Sequence, residues 1–268
     1  MINAVVVGAA GRMGRMIVNA IQNSDGITCT GAIEIPGHPA QGQDVGVLAG
    51  AGELGVTIED NLKSVIQKGD VVIDFTSAEV SLKNMEIAAQ HHKPMVVGST
   101  GFSPEQLDEV RKLTTEFPCC LAPNMSVGVN LMYKVVQEMA RILGKDYDVE
   151  IVEAHHRLKK DAPSGTALQL GKVLAQALGR KWEEVGVYSR KGLIGERSIE
   201  EIGIQVIRAG DIVGEHTVIF GGMGERLEVT HRAHSRDTLA RGAVRAAKWI
   251  VTQKSGLYDM GDVLGLKG

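Results

Sequence analysis

The stretch Glu153-Ala-His-His-Arg-Leu-Lys-Lys-Asp-Ala-Pro-Ser-Gly-Thr-Ala167 carries two imidazoles, three basic side chains and two acids within fifteen residues. Its Pro-Ser-Gly-Thr run reads as the opening of a helix, where the first N–H groups lack helical partners and favour an anion. Arg157, Lys159 and Lys160 bring positive charge to the same place. His155 and His156 are of the type that exchanges protons at neutral pH. Each part alone has an ordinary explanation. Adjacent histidines in a strand point to opposite faces, so one could be solvated and the other packed. A lysine pair is usually wet surface, and Pro-Ser-Gly-Thr is usually only a helix start. Their convergence in one loop points to a site that binds a negatively charged small molecule and protonates it.

The elements that must position this loop follow from hydrophobic periodicity. Residues 2–8 form a short apolar run ending in glycine, followed by Met13, Met16, Ile17, Ala20 and Ile21 at helical spacing. Further apolar runs at 27–33, 71–75, 95–98 and 119–122 alternate with amphipathic stretches. That order predicts βαβ units and a parallel sheet, an α/β Rossmann-type domain. Past Asn124 the order changes. A helix is expected over about 128–143, a strand over 148–153, and a helix over about 164–178. Strand-like runs at 201–208, 216–220 and 226–231 have a spacing suited to a mixed or antiparallel sheet, so a second, α+β domain is expected. A last helix is expected over about 236–252.

Gly8-Ala9-Ala10-Gly11-Arg12-Met13-Gly14 lies between the first strand and first helix. Glycines there permit a tight turn and close approach to a pyrophosphate resting on the helix start. Glu34 follows Gly14 by twenty residues and ends the second strand, where an acid would bond the adenine ribose hydroxyls. The spacing is GxxGxxG instead of GxGxxG, so strand context and Glu34 carry the reading. A 2′-phosphate usually calls for an arginine near that acid, and Ile35-Pro36-Gly37 supplies none, although Arg12 could serve. NADH is therefore the expected cofactor, with NADPH tolerated. Asp74-Phe75-Thr76-Ser77 and Gly98-Ser99-Thr100-Gly101-Phe102 fall after later strands, where open α/β sheets bind ligands, and suit nicotinamide-side contacts.

The totals narrow the classes. With 268 residues, 44% hydrophobic and 23% charged, the chain reads as an ordinary globular protein. A net charge of -3 with no long basic run, and only 4% aromatics, speaks against nucleic-acid binding. Cys29, Cys119 and Cys120 have no CxxC spacing and sit in apolar runs, so neither disulfides nor a metal site is expected. The first apolar run is too short for a signal or membrane span, and a cytoplasmic protein is expected. His91 and His92 are assigned to an exposed loop, and His231 and His234 to solvated positions or to the edge of a site, while the methionines at helical spacing read as core.

The motif at 153–167 resembles the signature of the dihydrodipicolinate reductase family. The likeness extends over Gly8–Gly14, 74–76, 98–102, Ala122-Pro123-Asn124-Met125-Ser-Val-Gly-Val-Asn130, 210–216, 224–231 and 255–260. It implies reduction of a cyclic unsaturated dicarboxylate with NAD(P)H in lysine and diaminopimelate biosynthesis. By position, His155 would be the proton donor and acceptor and Lys159 the cationic proton donor. His156 would touch substrate, and Gly165 and Thr166 would hold one carboxylate. Gly8, Ala9, Ala10, Gly11, Arg12, Met13, Glu34, Phe75, Gly98, Ser99, Thr100, Ala122, Pro123, Asn124 and Met125 would line the cofactor. The resemblance implies a dinucleotide-binding domain of residues 1–126, completed by 237–268. It also implies a substrate and oligomerisation domain of 127–236, and a homotetramer. The residue after Glu34 is not basic, and Pro123 and Met125 replace residues often small or aromatic. Two rival readings stand beside it. A semialdehyde dehydrogenase would need an activated cysteine, and an NAD(H)-binding sensor would need no cationic pocket.

Overall fold

The structure, a computed structural model, describes residues 1–267. The chain divides into two units, residues 1–127 with the segment from 237 onward, and residues 128–236.

In the first unit the elements are β1 (Ile2–Val7), α1 (Arg12–Gln22), β2 (Ile27–Ile33), α2 (Val45–Ala49), β3 (Ile58–Glu59), α3 (Leu62–Val65), β4 (Val71–Asp74), α4 (Ala78–Gln90), β5 (Met95–Val97), α5 (Pro104–Leu113) and β6 (Pro118–Leu121). The strands form a sheet in the order β12-β6-β5-β4-β1-β2-β3, where β12 (Gly256–Tyr258) comes from the end of the chain. Every pairing in it is parallel. Helices cover both faces, which is why the strands read as unbroken apolar runs. Along β1, Ala4 and Val6 join the core holding Ile17, Val18 and Ile21 of α1, while Val5 and Val7 join the core holding Met85 and Ala88 of α4. The short strands β3 and β12 are too brief to carry a period and were not expected from the sequence.

The second unit contains α6 (Val127–Leu143), β7 (Asp148–His155), α7 (Gly165–Ala177), α8 (Trp182–Val185), β8 (Gly186–Val187), β9 (Ile202–Arg208), β10 (Gly214–Gly221) and β11 (Arg226–Ala233). Its sheet has the order β11-β10-β7-β9-β8. It is mixed: β7 runs parallel to β9, whereas β10 is antiparallel to both β7 and β11. One face is apolar at Val149, Ile151, Ile202, Ile204, Val218 and Phe220, and packs on Met132 and Val136 of α6 and Leu170 and Leu174 of α7.

The chain then returns to the first unit as α9 (Asp237–Ile250), β12 and α10 (Met260–Val263). Helix α9 buries Ala240, Ala243, Ala246 and Ala247 in the same core as α1. The approach is close: a Cβ on Gly242 would lie 1.8 Å from the Met125 carbonyl oxygen. No helix among the described residues is long and apolar enough to cross a membrane.

Candidate active site

Strand alternation and register build the polar centre of the second unit. Glu153 and His155 stand two and four residues beyond Ile151, hence on the same face as the core residues of β7. Register places His216 of β10 opposite Glu153, Arg208 of β9 opposite His155, and His231 of β11 opposite His216. The face that is apolar under the helices thus becomes charged at one end of the sheet.

Glu153 is fully buried and receives four hydrogen bonds. The Arg208 guanidinium donates to both carboxylate oxygens at 2.8 Å, the Ser164 N–H donates at 2.9 Å, and His155 Nδ1 lies 2.6 Å from Oε2. Burial pushes the Glu153 carboxyl up, but the bonds from His155, Arg208 and Ser164 outweigh it and hold the group at about 2. Ser164 caps α7, its hydroxyl accepting from the Ala167 N–H and meeting His216 Nε2 at 3.0 Å. His216 is 4% exposed and packs edge-on against His155, ring centroids 5.2 Å apart. Burial, with His155 adding to it, pulls His216 down to about 3, so it is neutral at physiological pH.

The loop after β7 carries the remaining candidates. His156 lies just past the strand end, its Nε2 accepting from the Arg236 guanidinium at 3.4 Å. Lys159 is mostly buried and pairs with Asp161 at 2.8 Å. Gly165 begins α7 and Thr166 follows in its first turn, where Thr166 hydrogen-bonds Tyr133 of α6. The site therefore joins an imidazole, a lysine and a helix start within one unit, and the charge of Lys159 is felt at His216.

In the first unit the candidate cofactor residues fall after adjacent parallel strands. The Gly8 turn follows β1, Glu34 follows β2, Phe75 follows β4, Gly98–Thr100 follow β5 and 122–125 follow β6. Strand order reverses direction at β1, the place where such sheets take ligands. Gly8 adopts φ +67°, and a Cβ on Gly14 would lie 2.1 Å from the Gly8 carbonyl oxygen, so the turn sits flat against α1. Gly11 gives α1 no side-chain cap, leaving its first turn suited to a pyrophosphate. Glu34 accepts from the Ala10 N–H at 3.1 Å, which ties the acid to the turn. Arg12 is exposed and Met13 half-buried. The buried carboxylate of Asp74 accepts from Thr76 and Asn84, and Ser81 of α4 bonds Ser99, tying that helix to the loop after β5. The Phe75 ring lies on Gly98, where a Cβ would come within 2.1 Å of it. Ala122 and Met125 are buried, Pro123 and Thr100 exposed, and Asn124 accepts from the Ser126 N–H. These residues fit a dinucleotide.

Arg208, Ser164, His216 and Arg236 had no role in the sequence reading, and Glu153 had none beyond its place in the motif. For His231 the sequence leaves both a solvated position and a site edge open. It is half-buried, its Nδ1 is buried without a partner, and burial lowers its pKa. The signal was present: Leu227, Val229 and His231 share one face by alternation. His234 is exposed, as expected, and His91 is half-buried and bonded to Gln67. The cysteines are buried and free, with Cys29 pushed up to about 11 and Cys120 to about 12, so none is an activated nucleophile.

Comparison with known proteins gives a consistent result. Residues 2–125 match the family described as "Dihydrodipicolinate reductase, N-terminus" and residues 128–264 match "Dihydrodipicolinate reductase, C-terminus". The 4-hydroxy-tetrahydrodipicolinate reductase of Syntrophus aciditrophicus (strain SB) is 59% identical over 267 residues, covering 100% of both chains. The protein of that name from Citrifermentans bemidjiense is 58% identical with the same coverage. Among solved structures, dipicolinate-bound dihydrodipicolinate reductase from Paenisporosarcina sp. TG-14 aligns with a TM-score of 0.75 at 23% identity, covering 97% of each chain. The amine dehydrogenase of Mycobacterium smegmatis aligns at 0.59 and 17%, covering 96% of this chain and 94% of its own. At those identities the last two speak to fold alone.

Proposed function

Since the chain belongs to the dihydrodipicolinate reductase family, a family of oxidoreductases, we propose that it acts on 4-hydroxy-tetrahydrodipicolinate. By way of dihydrodipicolinate it forms tetrahydrodipicolinate, in lysine and diaminopimelate biosynthesis. The first unit binds NADH in preference to NADPH, and the second binds the cyclic dicarboxylate. When bound, the nicotinamide supplies hydride. The observation that carries the reading is the buried Glu153–His155 pair beside Lys159 and the start of α7.

Hydride addition to a conjugated imine leaves one negative charge on the ring, which one proton neutralises. His155 donates that proton from Nε2. Lys159 exchanges its Asp161 partner for a substrate carboxylate and lowers the cost of the developing charge. The N–H of Gly165 and the Thr166 side chain hold a carboxylate at the helix start, with His156 beside them. On the cofactor side, the Gly8–Met13 turn receives the pyrophosphate and Glu34 the ribose hydroxyls. Phe75, Gly98–Thr100 and Ala122–Met125 take the nicotinamide end.

We further assign the assembly as a cytoplasmic homotetramer joined through the second-unit sheet. Its helix-free face carries Val152, Ile207 and Ile219 beside Thr217 and Thr230. The test of function supplies the condensation product of pyruvate and aspartate semialdehyde and follows NADH consumption. Turnover requiring both supports the assignment. NADH binding without turnover refutes it and favours a sensor.

A further inference from the structure

Building on the proposed reductase reading, we infer that Glu153 is the positioning residue for His155. It holds the proton on Nδ1 and thereby commits Nε2 to the exchange with substrate. The geometry points this way from both ends of the contact. Only one proton can lie between His155 Nδ1 and Glu153 Oε2 at 2.6 Å. The carboxylate side is already saturated with donors, since Arg208 donates to both oxygens and Ser164 N–H to one. A carboxylate holding three such bonds is kept ionised and acts as acceptor, so the shared proton resides on the imidazole. A neutral histidine with one nitrogen so occupied carries its lone pair on the other.

The surroundings of His155 support the assignment. Nε2 faces Gly214 of β10, where a Cβ would lie 3.1 Å away, so glycine at that position leaves the nitrogen room. The ring is fixed edge-on by His216, whose own Nε2 is taken by Ser164. The titratable and charged groups facing His155 are Glu153 on its own strand, Arg208 from β9 and His216 from β10. Behind these stand His231 of β11 and the Lys159–Asp161 pair of the following loop. Among them Glu153 is the one that hydrogen-bonds the ring. Arg208 is committed to the fold: its other bonds run to the Ile207 and Asp161 carbonyls, and its Nε is buried without a partner. Its place is behind Glu153, gripping both carboxylate oxygens.

The first measurement uses the unaltered protein. Selective ¹⁵N labelling of histidine, with spectra taken on the alkaline side of the His155 titration, reads the tautomer directly. A protonated Nδ1 and a bare Nε2 support the inference, and the reverse pattern overturns it whether or not the protein proves to be a reductase. The second measurement uses Glu153→Gln, which keeps the size and removes the charge. The tautomer signal should become mixed and kcat should fall roughly 10- to 100-fold. KM and affinity for NADH, bound in the other unit, should hold. A folded variant with kcat and tautomer unchanged overturns the inference. Should that variant not fold, Arg208→Lys retains the charge but not the two-pronged grip. A several-fold loss of kcat at constant KM supports the assignment there, and unchanged kcat counts against it. Absence of turnover in the parent protein with the tautomer as stated would remove the reductase reading and leave the Glu153–His155 arrangement standing.

Discussion

Replacing His216 by glutamine should remove a defined share of the mild-acid sensitivity of the second unit, beside that of His231, and the size of that share can be worked from the site. His216 is 4% exposed and its pKa is drawn down from 6.5 to about 3. The folded protein therefore binds this proton less readily than the unfolded chain. Its contribution is intact above pH 6.5 and is lost progressively as pH falls toward about 3. At about pH 5 the linkage integral amounts to about 2 kcal/mol, and it scarcely changes if the folded value is a unit higher. Glu153 does not confound the window. Its depressed pKa of about 2 gives stability that is present above 4.5 and lost only below it. At about pH 5 it accounts for only about 0.2 kcal/mol. The assay is urea unfolding at about pH 7.5 and about pH 5, followed by fluorescence. Trp182 lies in the core of the second unit, whereas Trp249 lies against the first, so a Trp249→Phe background isolates the relevant transition. The parent should lose about 2 kcal/mol more than His216→Gln between the two conditions. Parallel losses would show that His216 titrates as it does in the unfolded chain, and the burial argument would fail.

Three further outcomes follow from the geometry. Lys159→Ala and His155→Ala should each lower kcat roughly 10²- to 10⁴-fold in the NADH-consumption assay while the Kd for NADH stays put; normal turnover in both would remove their assigned roles. Gly14→Ala would drive a methyl group to 2.1 Å from the Gly8 carbonyl oxygen. Titration should then show NADH affinity weakened by about tenfold or more, equivalent to at least about 1.4 kcal/mol. Ile35→Arg sets a cation beside Glu34, and paired kinetics should show kcat/KM for NADPH rising relative to NADH by about tenfold; a parent enzyme that already favours NADPH strongly would contradict the basis of that change.

Some of this was legible in the chain and some was not, for physical reasons. The parallel sheet could be read because strands buried on both faces leave unbroken apolar runs, as in β1 and β4, punctuated by amphipathic helices. The loop at 153–167 could be read because its chemistry is local in sequence. What escaped was register. Glu153 meets Arg208 across 55 residues and Ser164 meets His216 across 52, and neither pairing leaves a trace in spacing. They arise only when β7 is flanked by β9 on one side and β10 on the other. The basic neighbour Arg232 makes His231 read as solvated, whereas alternation with Val229 places it on the inward face.

The return of α9 to the first unit bears on how the polypeptide is made. Residues 128–236 complete their own sheet before α9 has been synthesised, whereas the sheet begun by β1 lacks a large part of one covering layer until residues 237–263 emerge. The core that holds Val6, Ile17 and Ile73 is therefore incomplete until α9 joins it. Limited proteolysis of a chain stopped at residue 236 should degrade the amino-terminal half and spare the middle. A cut before α9 should thus be felt first in the core it shares with α1, far along the chain from where it is made.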